Sequence, residues 1–139
     1  MKKPYRQINH TADLAIEITG ETVINLFENS AHALYDFMFQ KEKILPEVSV
    51  DVNITGTDTE DLLIRWLNEL IFITEMDEIV FSEFHIKEFQ KNHLFAEVAG
   101  ERFKEEKHNI QKPVKAATYH NIEIQQDTDG YKTVIVFDI

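Results

Sequence analysis

Thr57-Asp58-Thr59-Glu60-Asp61-Leu62-Leu63-Ile64-Arg65-Trp66-Leu67-Asn68-Glu69-Leu70-Ile71-Phe72-Ile73 is the stretch on which the fold turns. It opens on a capping-box pattern, Thr57 followed three residues later by Glu60. Asp61 adds negative charge where a helix N-terminus favours it. The body is helical and unusually apolar. Leu62, Leu63, Ile64, Trp66, Leu67, Leu70, Ile71, Phe72 and Ile73 cover an arc of roughly 200° on a wheel of 3.6 residues per turn. A helix lying on one side of a single sheet needs only about 100°, so this helix is expected to be covered on more than one side, as between two sheets. The polar interruptions share one narrow stripe, and Asp61, Arg65 and Glu69 on it are spaced for i,i+4 ion pairs.

The flanking segments supply the sheets. Towards the N-terminus, Leu14, Ile16 and Ile18 alternate with Asp13, Ala15, Glu17 and Thr19, a half-buried strand closed by Gly20. Thr22 is placed to cap a helix on which Ile24, Phe27, Ala31, Leu34, Tyr35 and Met38 share a face. Val48, Val50, Val52 and Ile54 then alternate with polar residues up to Gly56. Beyond the second helix the chain is β-rich. Val80–Phe89 reads as a strand, Gln90-Lys91-Asn92 as a turn and His93–Val98 as a second strand. A third strand is expected over Ala116–Gln125, then a turn at Asp127-Thr128-Asp129-Gly130 with a hairpin Asp-Gly signal, and a last strand over Tyr131–Ile139. The run from Gly100 to Val114 has no period, and structureless runs of that length inside a domain are often functional. The order β-α-β-α followed by four strands predicts an α+β domain with a mostly antiparallel C-terminal half. It lacks the strict βαβ alternation of a doubly wound fold.

Composition bounds the function. A chain of 139 residues, 43% hydrophobic and 28% charged, is long enough for one domain spanning residues 1–139 and too apolar for disorder. It has no cysteine, which removes disulfides, thiolate metal sites and cysteine nucleophiles together. The basic start, Met1-Lys2-Lys3-Pro4-Tyr5-Arg6, is not followed by an apolar run, so neither a signal peptide nor a membrane span is read and a cytoplasmic location is expected. The net charge of −11 disfavours unaided binding of nucleic acid and suits a basic protein partner or metal cations.

The sequence carries few catalytic patterns. Ser30, Ser49 and Ser82 lie in no Gly-x-Ser-x-Gly elbow, and there is no Gly-x-x-x-x-Gly-Lys phosphate loop. The six histidines show no metal-ligand spacing. His10 stands three residues before Asp13, and His120 shares an expected strand face with Thr118 and Ile122. The last strand puts Val134, Val136 and Asp138 on one face and Phe137 on the other. If the chain ends converge, Asp13, Asp138 and the α-carboxylate of Ile139 make an all-oxygen set suited to calcium, magnesium or manganese. The plainer alternative is a solvated aspartate at a strand end. Lys115, after the long loop, could meet phosphate as a point charge; a solvated lysine is the plainer reading there too.

Five short segments fall in an order that resembles the archease family: His10-Thr11-Ala12-Asp13-Leu14; Glu60-Asp61-Leu62-Leu63 with Trp66-Leu67-Asn68-Glu69-Leu70; Phe81-Ser82; Val114-Lys115-Ala116-Ala117-Thr118-Tyr119-His120; and Val136-Phe137-Asp138-Ile139. They span nearly the whole chain. Asn9 departs from the pattern, which usually has an acidic residue there. The resemblance implies helices layered between sheets. It also implies an accessory protein that promotes the GTP- and metal-dependent guanylylation of an RtcB-type RNA ligase, in tRNA splicing or RNA repair. In that role the ligase binds GTP, and RNA is met only indirectly. By family pattern Asp13, Asp138 and Ile139 are the metal ligands, calcium being the implied ion. Lys115 matches a position associated with activation, and His10 and His120 are further candidates. Two other readings stay open: a stand-alone metal-dependent phosphohydrolase, which would turn over without a partner, and a chaperone-like binding module.

Overall fold

The computed structural model describes residues 3–8 and 13–139. Strand β1 (Tyr5–Ile8) leads to β2 (Leu14–Gly20), helix α1 (Val23–Met38), a 3₁₀ turn (Lys41–Lys43) and β3 (Val48–Thr55). Helix α2 (Thr59–Asp77) precedes the hairpin β4 (Ile79–Gln90) and β5 (His93–Arg102). The short strands β6 (Ala116–Ala117) and β7 (Gln125–Asp127) and the long β8 (Gly130–Asp138) complete the chain.

These strands form two antiparallel sheets. One has the order β1-β2-β8-β6, with β7 also paired to β8, and the other has the order β3-β5-β4. The two helices lie between them. Helix α1 packs on β2 of the first sheet and β4 of the second, while α2 touches β6 of the first and β3 and β4 of the second. This is the two-sided cover that the wide apolar arc of α2 calls for. Leu62, Leu63, Ile64, Trp66, Leu67 and Leu70 are completely buried.

Polar groups inside this layer are tied across elements. Trp66 Nε1 donates to the Phe27 carbonyl at 3.0 Å, and the Tyr35 hydroxyl, on α1, donates to the Leu70 carbonyl of α2 at 3.0 Å. Both bonds remove the cost of burying a donor and fix the helices against each other. Tyr5 donates to the Asp36 carboxylate, which holds β1 to α1. Close backbone packing accounts for Gly100: a methyl group there would overlap the Val80 carbonyl oxygen of the neighbouring strand.

Several local expectations are corrected. Asp58, one residue after the expected Thr57, caps α2, its carboxylate accepting the Asp61 N–H at 2.8 Å. Ile24 is exposed beside Thr22, which does cap α1, and Phe72 is 55% exposed, so the apolar arc of α2 is not covered to its edge. Strand β1 is an additional element with no alternating pattern to announce it, its two middle residues Arg6 and Gln7 both being exposed. The expected strand over Ala116–Gln125 is broken into β6 and β7 by a turn at His120-Asn121, where Asn121 has a left-handed φ of 51°. His120 therefore lies in that turn, exposed, and not on a strand face. The aperiodic run begins as strand, since β5 continues through Gly100 to Arg102.

Candidate functional site

The β2–β8 register decides where the chain's carboxylates lie. Leu14 pairs with Phe137 and Ala15 with Val136, so one further step would set Asp13 opposite Asp138. Side chains alternate along β8: Ile135 and Phe137 are buried in the core and Asp138 is exposed. On the other side of β8, Ala116 pairs with Asp138, and the Lys115 N–H donates to the Asp138 carbonyl at 2.8 Å. Asp13, Asp138, Ile139 and Lys115 are thus brought to one edge of the first sheet by three segments distant in sequence.

A cleft of about 380 Å³ opens there, lined by Gln7, Asp13, Leu14, Lys112, Pro113 and Ile139 together with Gln111. The Gln111 N–H is bonded to the Met38 carbonyl at 2.8 Å, which fixes this wall to the end of α1. Among the described residues no three His, Asp or Glu side chains gather as a metal cluster. The donors available at the edge are carboxylate oxygens, the chemistry of a hard cation. His10 and Asn9 lie outside the described residues. His120 is displaced from the edge along the antiparallel direction of β6, because Ala117 pairs with Phe137 and Thr118 donates its N–H to the Val136 carbonyl at 2.9 Å.

The placement of Lys115 depends on a residue whose role the helical pattern hides. Asn68 of α2 accepts the Ala117 N–H on its side-chain oxygen at 2.8 Å and donates its amide to the Ala117 carbonyl at 3.1 Å. Strand β6 is therefore held between β8 and a helix side chain. The visible signal was a lone amide in a stripe of charges. Asp61 has more partners than its helical spacing predicts. It pairs with Arg65 at 2.9 Å, as its spacing predicts, and it also accepts the Tyr119 hydroxyl at 2.6 Å and the Thr57 N–H at 2.8 Å. The Tyr119 bond, then the Thr57 bond, with Arg65 adding to them, hold the Asp61 carboxyl at about 2 against the opposing effect of burial. The same bond pushes the Tyr119 phenol up.

The aperiodic loop has its own anchor. Glu101 is 1% exposed and His108 2% exposed. His108 Nδ1 accepts the Lys104 N–H at 2.9 Å, and its Nε2 meets Glu101 Oε1 at 2.8 Å. Lys107 reaches the same oxygen at 2.8 Å and the Leu45 N–H donates to it at 3.1 Å. Burial raises the Glu101 carboxyl, but the hydrogen bonds from Lys107, His108 and Leu45 outweigh it and leave it at about 2. All three donors converge on Oε1, while the buried Oε2 has no hydrogen-bond partner among the described residues; the Oε1 bonds give the loop a fixed root.

Residues 5–139 match the model of the Archease protein family (MTH1598/TM1083). The chain belongs to the archease family. It is 36% identical to the protein archease of Methanosarcina mazei, over 99% of this chain and 97% of that protein. It is 35% identical to the archease of Pyrococcus furiosus, over 92% of each. The solution structure of Methanobacterium thermoautotrophicum protein 1598 superposes on the archease-family chain with a TM-score of 0.86 at 32% identity, covering 99% and 100% of the two chains. A crystal structure from Thermotoga maritima, called an archease and possible chaperone, gives 0.69 at 26% identity, covering 100% and 98%. The helices between two antiparallel sheets are thus an archease architecture. No helix among the described residues is long and apolar enough to cross a membrane.

Proposed function

We propose that this archease-family chain is an accessory protein of an RtcB-type RNA ligase. It would promote the ligase's GTP- and metal-dependent guanylylation and not act as an enzyme itself. The observation that carries the reading is the convergence of Asp13, Asp138, Ile139 and Lys115 on one edge through the β2–β8 and β6–β8 pairings. Asp13, Asp138 and the Ile139 α-carboxylate would hold a divalent cation, calcium by family resemblance, with magnesium and manganese suited to the same donors. When bound, the cation supplies charge neutralisation and a template for phosphate oxygens. Lys115, exposed and anchored through its own backbone, offers an ammonium to phosphate or to a ligase carboxylate. GTP is assigned to the ligase, since this chain has no glycine phosphate loop.

The test is ligase guanylylation with GTP, alone and with wild type, Asp13→Ala, Asp138→Ala and Lys115→Ala. Stimulation by wild type and its loss in the variants is expected; equal rates across the series overturn the reading. The name given to the Thermotoga maritima protein favours a second reading, a chaperone-like module in which the cation only staples the termini. That reading predicts that Asp138→Ala lowers the melting temperature and leaves stimulation intact.

A further inference from the structure

Helix α2 ends on a surface that is apolar and acidic at once. Phe72 and Met76, one turn apart, are 55% and 64% exposed, and Ile110 is 57% exposed. Beside them is a small apolar cavity of about 130 Å³, lined by Phe39, Ile71, Glu75, Ile110, Pro113 and Val114 among others. Ile71 and Glu75 form the row next to Phe72 and Met76 on the helix surface. Single exposed apolar residues are ordinary, but here Ile110 lines the cavity, and Phe72 and Met76 continue the apolar surface from its Ile71–Glu75 wall towards the α2–β3 cleft that Phe72 lines; apolar residues grouped in this way mark an interaction surface.

The charges that the end of α2 itself brings to the rim are all acidic; the bases nearby are Lys112, whose ammonium lies over the Phe37 ring, and Arg102, paired with Ile79. Glu75, Asp77 and Glu78 are exposed at the end of α2, and its last turn has no basic residue. A helix C-terminus already presents negative partial charge, so carboxylates there are unfavourable in the free protein. Glu78 closes the helix at φ 55°, ψ 44°, a left-handed conformation that suits glycine or asparagine better. The protein keeps repelling carboxylates, and a cap residue unsuited to its backbone, next to uncovered apolar side chains. A partner that is both cationic and apolar relieves the charge repulsion and covers the patch.

We propose that the C-terminal half of α2, together with Ile110, is a docking surface for a basic amphipathic helix of a protein partner. One apolar side chain of the partner enters the cavity between Ile71 and Ile110, its apolar stripe continues over Phe72 and Met76, and its Lys or Arg residues meet Glu75, Asp77 and Glu78. Pro113 lines both this cavity and the Asp13–Ile139 cleft, so a partner seated here lies alongside that edge. The assignment does not rest on the ligase reading, because no proposed cation ligand takes part in it.

The probe is a synthetic leucine–lysine peptide of about 18 residues, five helical turns, with leucines at helical spacing, titrated into ¹⁵N-labelled protein. A scrambled peptide and one with glutamate for lysine serve as controls. Saturable amide shifts centred on residues 71–78 and 110 are expected. Affinity should fall by about tenfold or more in Phe72→Ser/Met76→Ser, and the salt dependence should flatten in Glu75→Gln/Asp77→Asn. Both apolar positions are exposed, so an unchanged amide spectrum away from the patch verifies the fold. The proposal is overturned by absence of saturable shifts, by shifts centred elsewhere, or by equal binding of either control peptide. It is equally overturned if sedimentation shows a wild-type dimer that the double variant abolishes, since the patch is then covered by a second copy.

Discussion

Asn68 and Ala117 are 49 residues apart and joined by two hydrogen bonds, the helix side chain completing the backbone pairing of a two-residue strand. Strand β6 is too short to hold itself on β8, so its position, and with it that of Lys115, is set from both sides.

Asn68→Ala leaves the Ala117 N–H and carbonyl without this partner. A loss of about 2 kcal/mol in stability is expected, measured by urea unfolding. Faster amide exchange should be confined first to residues 115–118. Asn68→Asp keeps the acceptor and loses the donor, and should fall between the two. Global loss of protection in both variants, with no local stage, would contradict the clamp.

Cation binding at the proposed edge is measurable without any ligase. Asp13→Asn and Asp138→Asn should each weaken calcium binding by about tenfold or more, read by isothermal titration calorimetry. Appending residues after Ile139 should do the same. Unaltered binding in the extended chain removes the terminal carboxylate from the ligand set.

Acid should destabilise the fold through Glu101 and Asp61. Both carboxyls are held at about 2, against ordinary values of 4.5 and 3.8. Across that interval the unfolded chain binds protons that the folded chain does not, so acid favours unfolding. The stabilisation is complete above about 4.5 and is lost as the pH falls towards 2. Urea midpoints should therefore drop over this window, and Glu101→Gln, less stable at neutral pH, should show a shallower acid slope than wild type. An unchanged slope would show that the loop anchor is not charged in the folded state.

Trp66→Phe removes the donor to the Phe27 carbonyl and part of a completely buried side chain. A cost of about 2 kcal/mol is expected from the unpaired carbonyl and the space left behind, seen in urea unfolding with an unchanged slope. A cost near zero would mean that the two helices repack without the bond.

The chain's periodicities carried the layered fold because burial leaves a pattern. The arc from Leu62 to Leu70 required two covering surfaces, and the alternation of Leu14, Ile16 and Ile18 required one. Thr22 and the Asp-Gly turn signalled themselves through local backbone chemistry; at Gly130 the φ is 133°. The break in the expected Ala116–Gln125 strand was not legible. There Ile122 and Ile124 pack against the core from a loop, and the backbone is satisfied by side chains: Ile124 N–H donates to Glu60 at 3.1 Å, and the Glu123 carbonyl accepts from Thr133 at 2.8 Å. Period-two burial survives without a strand ladder, so the pattern alone misreads it.

The sequence by itself determined the α+β class, the two-sided burial of α2, the acidic balance and, through its ordered words, membership of the archease family. Only the tertiary structure decided that Asp13, Asp138, Ile139 and Lys115 share an edge, that Asn68 holds β6, and that Glu101 roots the aperiodic loop. The physical reason is range. Helical and strand periods record which face of a segment is buried. The partner of a lone Asn, Asp or Glu is chosen by strand register and helix docking across as many as 64 residues, and no local period encodes that choice.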